Sequence, residues 1–302
     1  MVIHKAHTSR ICQSMGDNLF DVVVNVVAVL VMLLVLIPLI FVVAASFSDP
    51  DRVLRGEVFL WPKGFTLEPY KMVFENQDIW LSYRNTIFYT VAGTAINIVM
   101  TILAAYPLSR RDLEGRRFFT LIILFTMYFN GGLIPTYLLV RDLNMDNTIW
   151  AILIPAAIST YNLIVAKTFF ENSIPHEIYE SAFLDGCSNA RMLVAIVLPL
   201  SKAILAVLVL YYGVAHWNSY FSALVYLRDK ELFPLQIVLR DILLLGQTEQ
   251  LGSNDVGMGE KIKMAEAIKY SVIVISSAPV LALYPFVQKY FVQGVMIGAV
   301  KG

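Results

Sequence analysis

Charged residues along this chain are bunched, and the gaps between the bunches are long. Six windows hold no Asp, Glu, Lys or Arg: 22–48, 85–109, 118–140, 147–166, 203–227 and 270–288, each between 19 and 27 residues. A helix rising 1.5 Å per residue needs about 20 apolar residues to cross roughly 30 Å of hydrocarbon, and a central charge costs about 2.5–3.5 kcal/mol. The windows therefore predict six transmembrane helices in an all-α membrane protein. The first, "VVVNVVAVLVMLLVLIPLIFVVAA", is about twice the length of a signal-peptide core. Asp17 and Asp21 stand where such a peptide carries positive charge, so this window reads as an uncleaved first span.

The polar connections give direction. "RRDLEGRR" carries Arg110, Arg111, Arg116 and Arg117 between the second and third windows, and short arginine-rich loops stay in the cytoplasm. Counting outward places both termini inside, and residues 49–84, 141–147 and roughly 217–268 outside. Among the outer segments, "FPLQIVLRDILLLGQ" has a proline opening a run with helical apolar spacing, which predicts a helix near the outer interface. "HWNSYFSALVYL" before it is dense in aromatics with polar ends, fitting either a headgroup-level belt or a polar vestibule.

Between the fourth and fifth windows lies "ENSIPHEIYESAFLDGCSNARM". Pro175 suits a first helical turn and Ser173 a cap before it. At 100° per residue, Ile174, Ile178, Ala182, Tyr179 and Phe183 fill one half of the circumference, while His176, Glu177, Glu180 and Ser181 fill the other. Gly186 then fits a left-handed C-terminal cap, and Ser188 or Asn189 caps a second helix expected to run through Pro199 into the fifth span. Three turns of helix are marginal alone in water, so the apolar face needs a partner: headgroups, the bundle's own cytoplasmic end, or another protein.

Composition agrees with a lipid solvent. Of 302 residues, 58% are hydrophobic and 15% charged, against about 25% charged in soluble domains. A net charge of zero gives no reason to expect nucleic acid as a partner. Cys12 and Cys187 lie far apart without metal-ligand spacing and read as free thiols, and no residue pattern calls for a metal or cofactor.

Three stretches carry a family resemblance. Glu180-Ser181-Ala182, Asp185-Gly186, Ile196 and Leu198-Pro199 resemble the EAA-loop signature of bacterial ABC-importer permeases, with serine in place of the second position's alanine. "YPFVQKYFVQGVMIGAVKG" resembles the tail of maltose-type carbohydrate permeases, and "FNGGLIPTYLLVRDL" the subgroup for lipoprotein- or polysaccharide-type sugar import. The resemblance implies a type I ABC-importer transmembrane domain filling 1–302, with first span and outer loop in 1–83, core in 84–290 and cytoplasmic tail in 291–302. It implies a bacterial cytoplasmic-membrane location and a coupling helix that enters a cleft of a cytoplasmic ATPase. Glu180, Ala182, Asp185 and Gly186 would form the docking turn, with Tyr179 and Phe183 as apolar anchors and Gly298 and Lys301 of the tail reaching the same ATPase pair. Further partners implied are a second, homologous permease subunit and an extracellular solute-binding lipoprotein, with import as the direction.

A sugar pathway needs hydroxyl-matching groups and aromatic faces inside the bundle. Tyr128, Asn130, Tyr161, Asn162, Tyr212, Trp217 and Asn218 qualify, although polar residues in spans also serve as interhelical hydrogen bonds. Gly131-Gly132 followed by Pro135 allows unwinding or close packing in the third span. The chain has no G-x-x-x-x-G-K-[ST] loop and so does not hydrolyse ATP itself. An ion-coupled secondary transporter would place charges within the spans, and a membrane enzyme a cluster such as H-E-x-x-H; neither pattern is present.

Overall fold

The computed structural model describes residues 15–248, 268–283 and 285, and the described residues form helices and connections without a strand. Helix α1, Met15–Ser46, corresponds to the first window. Its side chains from Leu19 to Ile40 face away from the rest of the chain, as expected of an all-round apolar helix in lipid or against another subunit. Near its end Ala44, Ala45 and Ser46 are buried, and Ser46 bonds the Tyr70 hydroxyl at 2.9 Å. Two short helices follow, α2 (Pro50–Leu54) and α3 (Glu68–Glu75).

Helix α4, Gln77–Ser109, is the hub. Asn76 caps it by accepting from the backbone N–H groups of Asp78 and Ile79, and it packs against the helices Thr160–Ser173, Lys202–Trp217 and Leu235–Thr248. Ser82, Thr86, Thr90, Thr94, Asn97 and Thr101 recur along it at three- or four-residue spacing. This polar stripe faces the protein, while Val91, Val99 and Leu103 face outward.

Several later windows are broken. Helices α5 (Arg116–Tyr128) and α6 (Leu133–Asp142) share the third window and bend by 110° at Gly131-Gly132. The fourth window holds α7 (Trp150–Leu153), an irregular stretch through Pro155, and α8 (Thr160–Ser173). Backbone groups freed there find side chains: Asn97 Nδ2 donates to the Ala156 carbonyl, and the Ser159 N–H donates to the Tyr212 hydroxyl at 3.2 Å.

After α9 (His176–Leu184) comes α10 (Asn189–Met192), a π turn at Leu193–Val197 and α11 (Leu198–Leu200). The expected continuous run into the fifth span does not occur: the chain bends by 84° at Ser201 before α12 (Lys202–Trp217). Pro199 has no N–H to offer the preceding turn, which has already widened into the π turn. Helix α13 (Phe221–Tyr226), α14 (Leu235–Thr248) and α15 (Ile268–Leu283) complete the described chain. As predicted, the proline-led segment is helical; Leu235 and Leu239 of α14 pack with Val73, Ile79 and Val272.

Leu19–Ser46 and Gln77–Ser109 are each long and apolar enough to cross a membrane unbroken. The pairs α5 with α6 and α10–α11 with α12 are so if each bent pair is taken as one span.

Candidate functional site

The amphipathic face of α9 finds its partner within the chain. Ile174 and Ala182 are buried in a cluster with Ile102 and Tyr106 of α4, Leu163 and Phe170 of α8, and Leu208 of α12. Phe183, expected on that face, is 72% exposed, and Leu184 beside it is 86% exposed. The face is narrower than half the circumference because the α4–α8 end receives the stripe through Ile174 and Ala182, with Tyr179 partly buried beside it. Helix α9 also begins later than predicted. Pro175 precedes it without a side-chain cap, and the Ser173 hydroxyl is buried without a partner.

The end of α9 matches expectation. Gly186 has φ +72°, its N–H bonds the Phe183 carbonyl at 3.0 Å, and the Cys187 N–H bonds the Ala182 carbonyl at 2.9 Å. These two bonds form a Schellman motif, and the turn leaves Phe183 and Leu184 at a protruding tip. Ser188 then caps α10 by accepting from the Arg191 N–H at 3.4 Å.

Beside this tip is a charged cleft of about 510 Å³, between the arginine-rich connection, the end of α8 and α9. Arg110 grips Asp112 through Nε and Nη2, both at 2.9 Å, and its guanidinium lies 4.7 Å from the Tyr179 ring centroid. That hydrogen bond holds the Asp112 carboxyl below its ordinary range, and burial pushes the Tyr179 phenol up to about 12. Glu171 accepts from Arg116 at 3.0 Å and Lys167 at 2.9 Å, while His176 meets Glu180 at 3.0 Å on α9 itself. The connection after α4 and the helix before Gly186 are thus joined by stacking and lined by fixed charges.

A second cavity, of about 370 Å³, opens where α4, the α7–α8 break and the end of α12 meet. It brings together Asn162, Tyr212 and Asn218 of the sequence candidates, and Tyr161 pairs with its wall residue Tyr211 at 6.4 Å between ring centroids. The Tyr212 hydroxyl meets Thr101 at 2.6 Å, so it also acts as an interhelical bond. Trp217 lies outside, buried with its indole N–H donating to the Ser276 carbonyl at 3.0 Å. Tyr128 is exposed at the end of α5, and Asn130 accepts from the Gly132 N–H at 3.1 Å in the break between α5 and α6. Gly298 and Lys301 lie outside the described residues.

Sequence reasoning missed Asn97, Ser159, Tyr211 and His216 as wall residues. The imidazole Nε2 of His216 meets Asn97 Oδ1 at 2.6 Å and rests against Gly93, where any Cβ would collide with the ring. The α4 polar stripe was the available signal, because it marks the inward side of an otherwise apolar helix.

No protein-family model matches the chain. The polygalacturonan/rhamnogalacturonan transport system permease protein YtcP of Bacillus subtilis is 40% identical over 95% of this chain and all of its own length. Protein LplC of the same organism is 39% identical over 99% of both chains. A crystal structure of a bacterial ABC transporter involved in the import of the acidic polysaccharide alginate contains a chain of 36% identity and TM-score 0.84, with 92% of this chain and 99% of that one covered. Near-complete coverage at such identity, with a shared helical fold, means that this chain belongs to the permease proteins of ABC carbohydrate transport systems.

Proposed function

We propose that this chain forms half of a heterodimeric pathway in an ATP-driven carbohydrate importer and receives the motion of a separate cytoplasmic ATPase through α9 and the Gly186 turn. The observation that carries the reading is the division of labour on α9. One stripe anchors it to the α4–α8–α12 core, while Phe183 and Leu184 stay uncovered at the tip. A helix tied on one side and bare at its end suits an element that must enter another protein and carry force back. Glu180 and Asp185 on its exposed surface would meet basic groups of the ATPase, and Gly298 and Lys301 of the tail would reach the same partner.

In this reading all six charge-free windows cross the cytoplasmic membrane, some as bent or broken segments, with both termini inside. A solute-binding lipoprotein delivers cargo outside, and the cavity at Asn162, Tyr212 and Asn218 lies on the path. Relatives named for polygalacturonan/rhamnogalacturonan and arabinooligosaccharides support a cargo of oligosaccharide or polysaccharide-derived sugar.

Purification of the tagged chain from native membranes in mild detergent tests this. An ATPase and a second permease chain are expected to co-purify in stoichiometric amounts. Recovery of the chain alone, with uptake driven by an ion gradient instead of ATP, would establish a secondary transporter.

A further inference from the structure

The smaller cavity is chemically uniform in one respect: among its described lining residues there is no Lys, Arg, Asp or Glu. Its polar ends are the amides of Asn97, Asn162 and Asn218, hydroxyls such as Ser159 and Tyr212, and the His216 ring. Several of these atoms are already committed. His216 Nε2 and Asn97 Oδ1 hold each other, Asn97 Nδ2 holds the Ala156 carbonyl, and Asn218 Nδ2 donates to the Val214 carbonyl at 2.9 Å. Among the described residues no hydrogen bond engages the Asn218 Oδ1 acceptor, and hydroxyls of the 219–222 turn can turn either way. The charges nearest in sequence are engaged elsewhere: Arg228 faces Asp146 and Tyr137, and Lys167 faces Glu171.

A sugar hydroxyl both donates and accepts, so amides and hydroxyls can satisfy it in any orientation. An ionised carboxylate only accepts, and stripping its water in an uncharged cavity is costly unless a cation replaces that water. Aromatic faces at Tyr211, Tyr220 and Phe221 add apolar surface for a pyranose ring without adding charge. We propose that the wall this chain contributes to the pathway accepts neutral saccharide units and disfavours uronate units. The inference rests on the carbohydrate-permease reading and narrows it. It would set this chain's cargo apart from the acidic polysaccharides for which the relative YtcP and the alginate transporter are named.

Ligand-observed saturation-transfer NMR on the detergent-solubilised complex, without binding protein, tests the proposal with galactotriose and trigalacturonate. Galactotriose is expected to bind at least about tenfold more tightly. Ser222→Trp, which fills the cavity from a partly exposed position, is expected to abolish that binding. Asn218→Arg, at an exposed position, supplies the missing cation and should narrow the preference at least about threefold. Trigalacturonate binding as tightly as galactotriose, with both lost in Ser222→Trp, would overturn the proposal. Binding of neither sugar, or galactotriose binding that survives Ser222→Trp, would overturn it too. An ATPase still co-purified in those cases leaves the permease reading standing.

Discussion

Two cavities border α4 at different levels, and under the proposed function one would serve force and the other cargo. Ser109 and Arg110 at the end of α4 border the larger, and Asn97, about 18 Å back along the helix, borders the smaller. The larger is walled by three arginines interleaved with three carboxylates, Arg110, Arg111 and Arg116 with Asp112, Glu171 and Glu180, and by the His176 ring. The smaller is walled by amides, hydroxyls and rings. A charged wall exchanges partners across an interface and fixes orientation, which a docking element needs. A neutral wall holds a polyhydroxylated ligand through many replaceable bonds, which a passage needs. The two share one rigid element, so a change that disables one and spares the other separates their roles.

The largest effect is expected from Gly186→Leu. Gly186 sits at φ +72°, and a Cβ there meets nothing within 4 Å, so the cost falls on the backbone and not on packing. Left-handed geometry costs an ordinary residue roughly 1–2 kcal/mol, enough to shift the turn and swing Phe183 and Leu184 off their line. Co-purified ATPase should fall about tenfold and ATP-driven uptake with it. Galactotriose binding at the neutral cavity should be unchanged. Loss of both together would mean that the cavities are not separable.

Gly93→Leu should produce the opposite pattern. The His216 ring occupies the space that Gly93 leaves open, so a side chain there must push α4 and α12 apart or expel the imidazole from Asn97. Overpacking of this kind costs about 1–3 kcal/mol. Thermal unfolding of the purified complex should move several degrees lower, and galactotriose binding should weaken at least about fivefold. ATPase co-purification should persist, because the Schellman turn and the charged cleft lie at the other end of the contact. An unchanged cavity in this variant would show that the His216–Asn97 pair does not shape the wall.

What was legible in the sequence follows from which forces act locally. The positive-φ turn at Gly186 and the Ser188 cap depend on a few adjacent residues, and both are present in the structure. Of the six charge-free windows, two correspond to unbroken helices long and apolar enough to cross a membrane and two to bent pairs among the described residues. The division of the α9 face was not legible, since which apolar residues are covered depends on the shape of the α4–α8 end. Phe183 satisfied the periodicity and is nonetheless bare. The 84° bend at Ser201 was likewise hidden: Pro199 marks a disturbance but not its size, and Val197 and Ile204 on either side of the bend are buried in one core. Of the pathway candidates, Tyr161 and Asn162 of α8 and Tyr212 of α12 converge because both helices pack on α4, while Trp217 turns to Ser276 and Tyr128 and Asn130 belong to a segment turned aside by the break at Gly131-Gly132. A list of polar residues in spans cannot make that distinction, and the α4 stripe could have done so.

The smallest expected effect sharpens the comparison from the charged side. Arg110→Lys keeps the charge and removes the fork that holds both Asp112 oxygens, as well as the flat guanidinium over Tyr179. Asp112 is largely exposed, so solvent replaces much of what is lost, and about 0.5–1 kcal/mol is at stake. Thermal unfolding should fall by about 1–3 °C, with ATPase recovery reduced by no more than about threefold. The pH dependence separates a charge effect from a packing effect. Arg110 holds the Asp112 carboxyl below its unfolded value, so the pair's contribution is present above the ordinary carboxylate range and is lost as pH falls through the lowered value. The difference between wild type and variant should therefore shrink on acidification toward about pH 3, leaving only the stacking part. A difference constant from neutral pH to that point would place the whole effect in the Arg110–Tyr179 contact and none in the carboxylate.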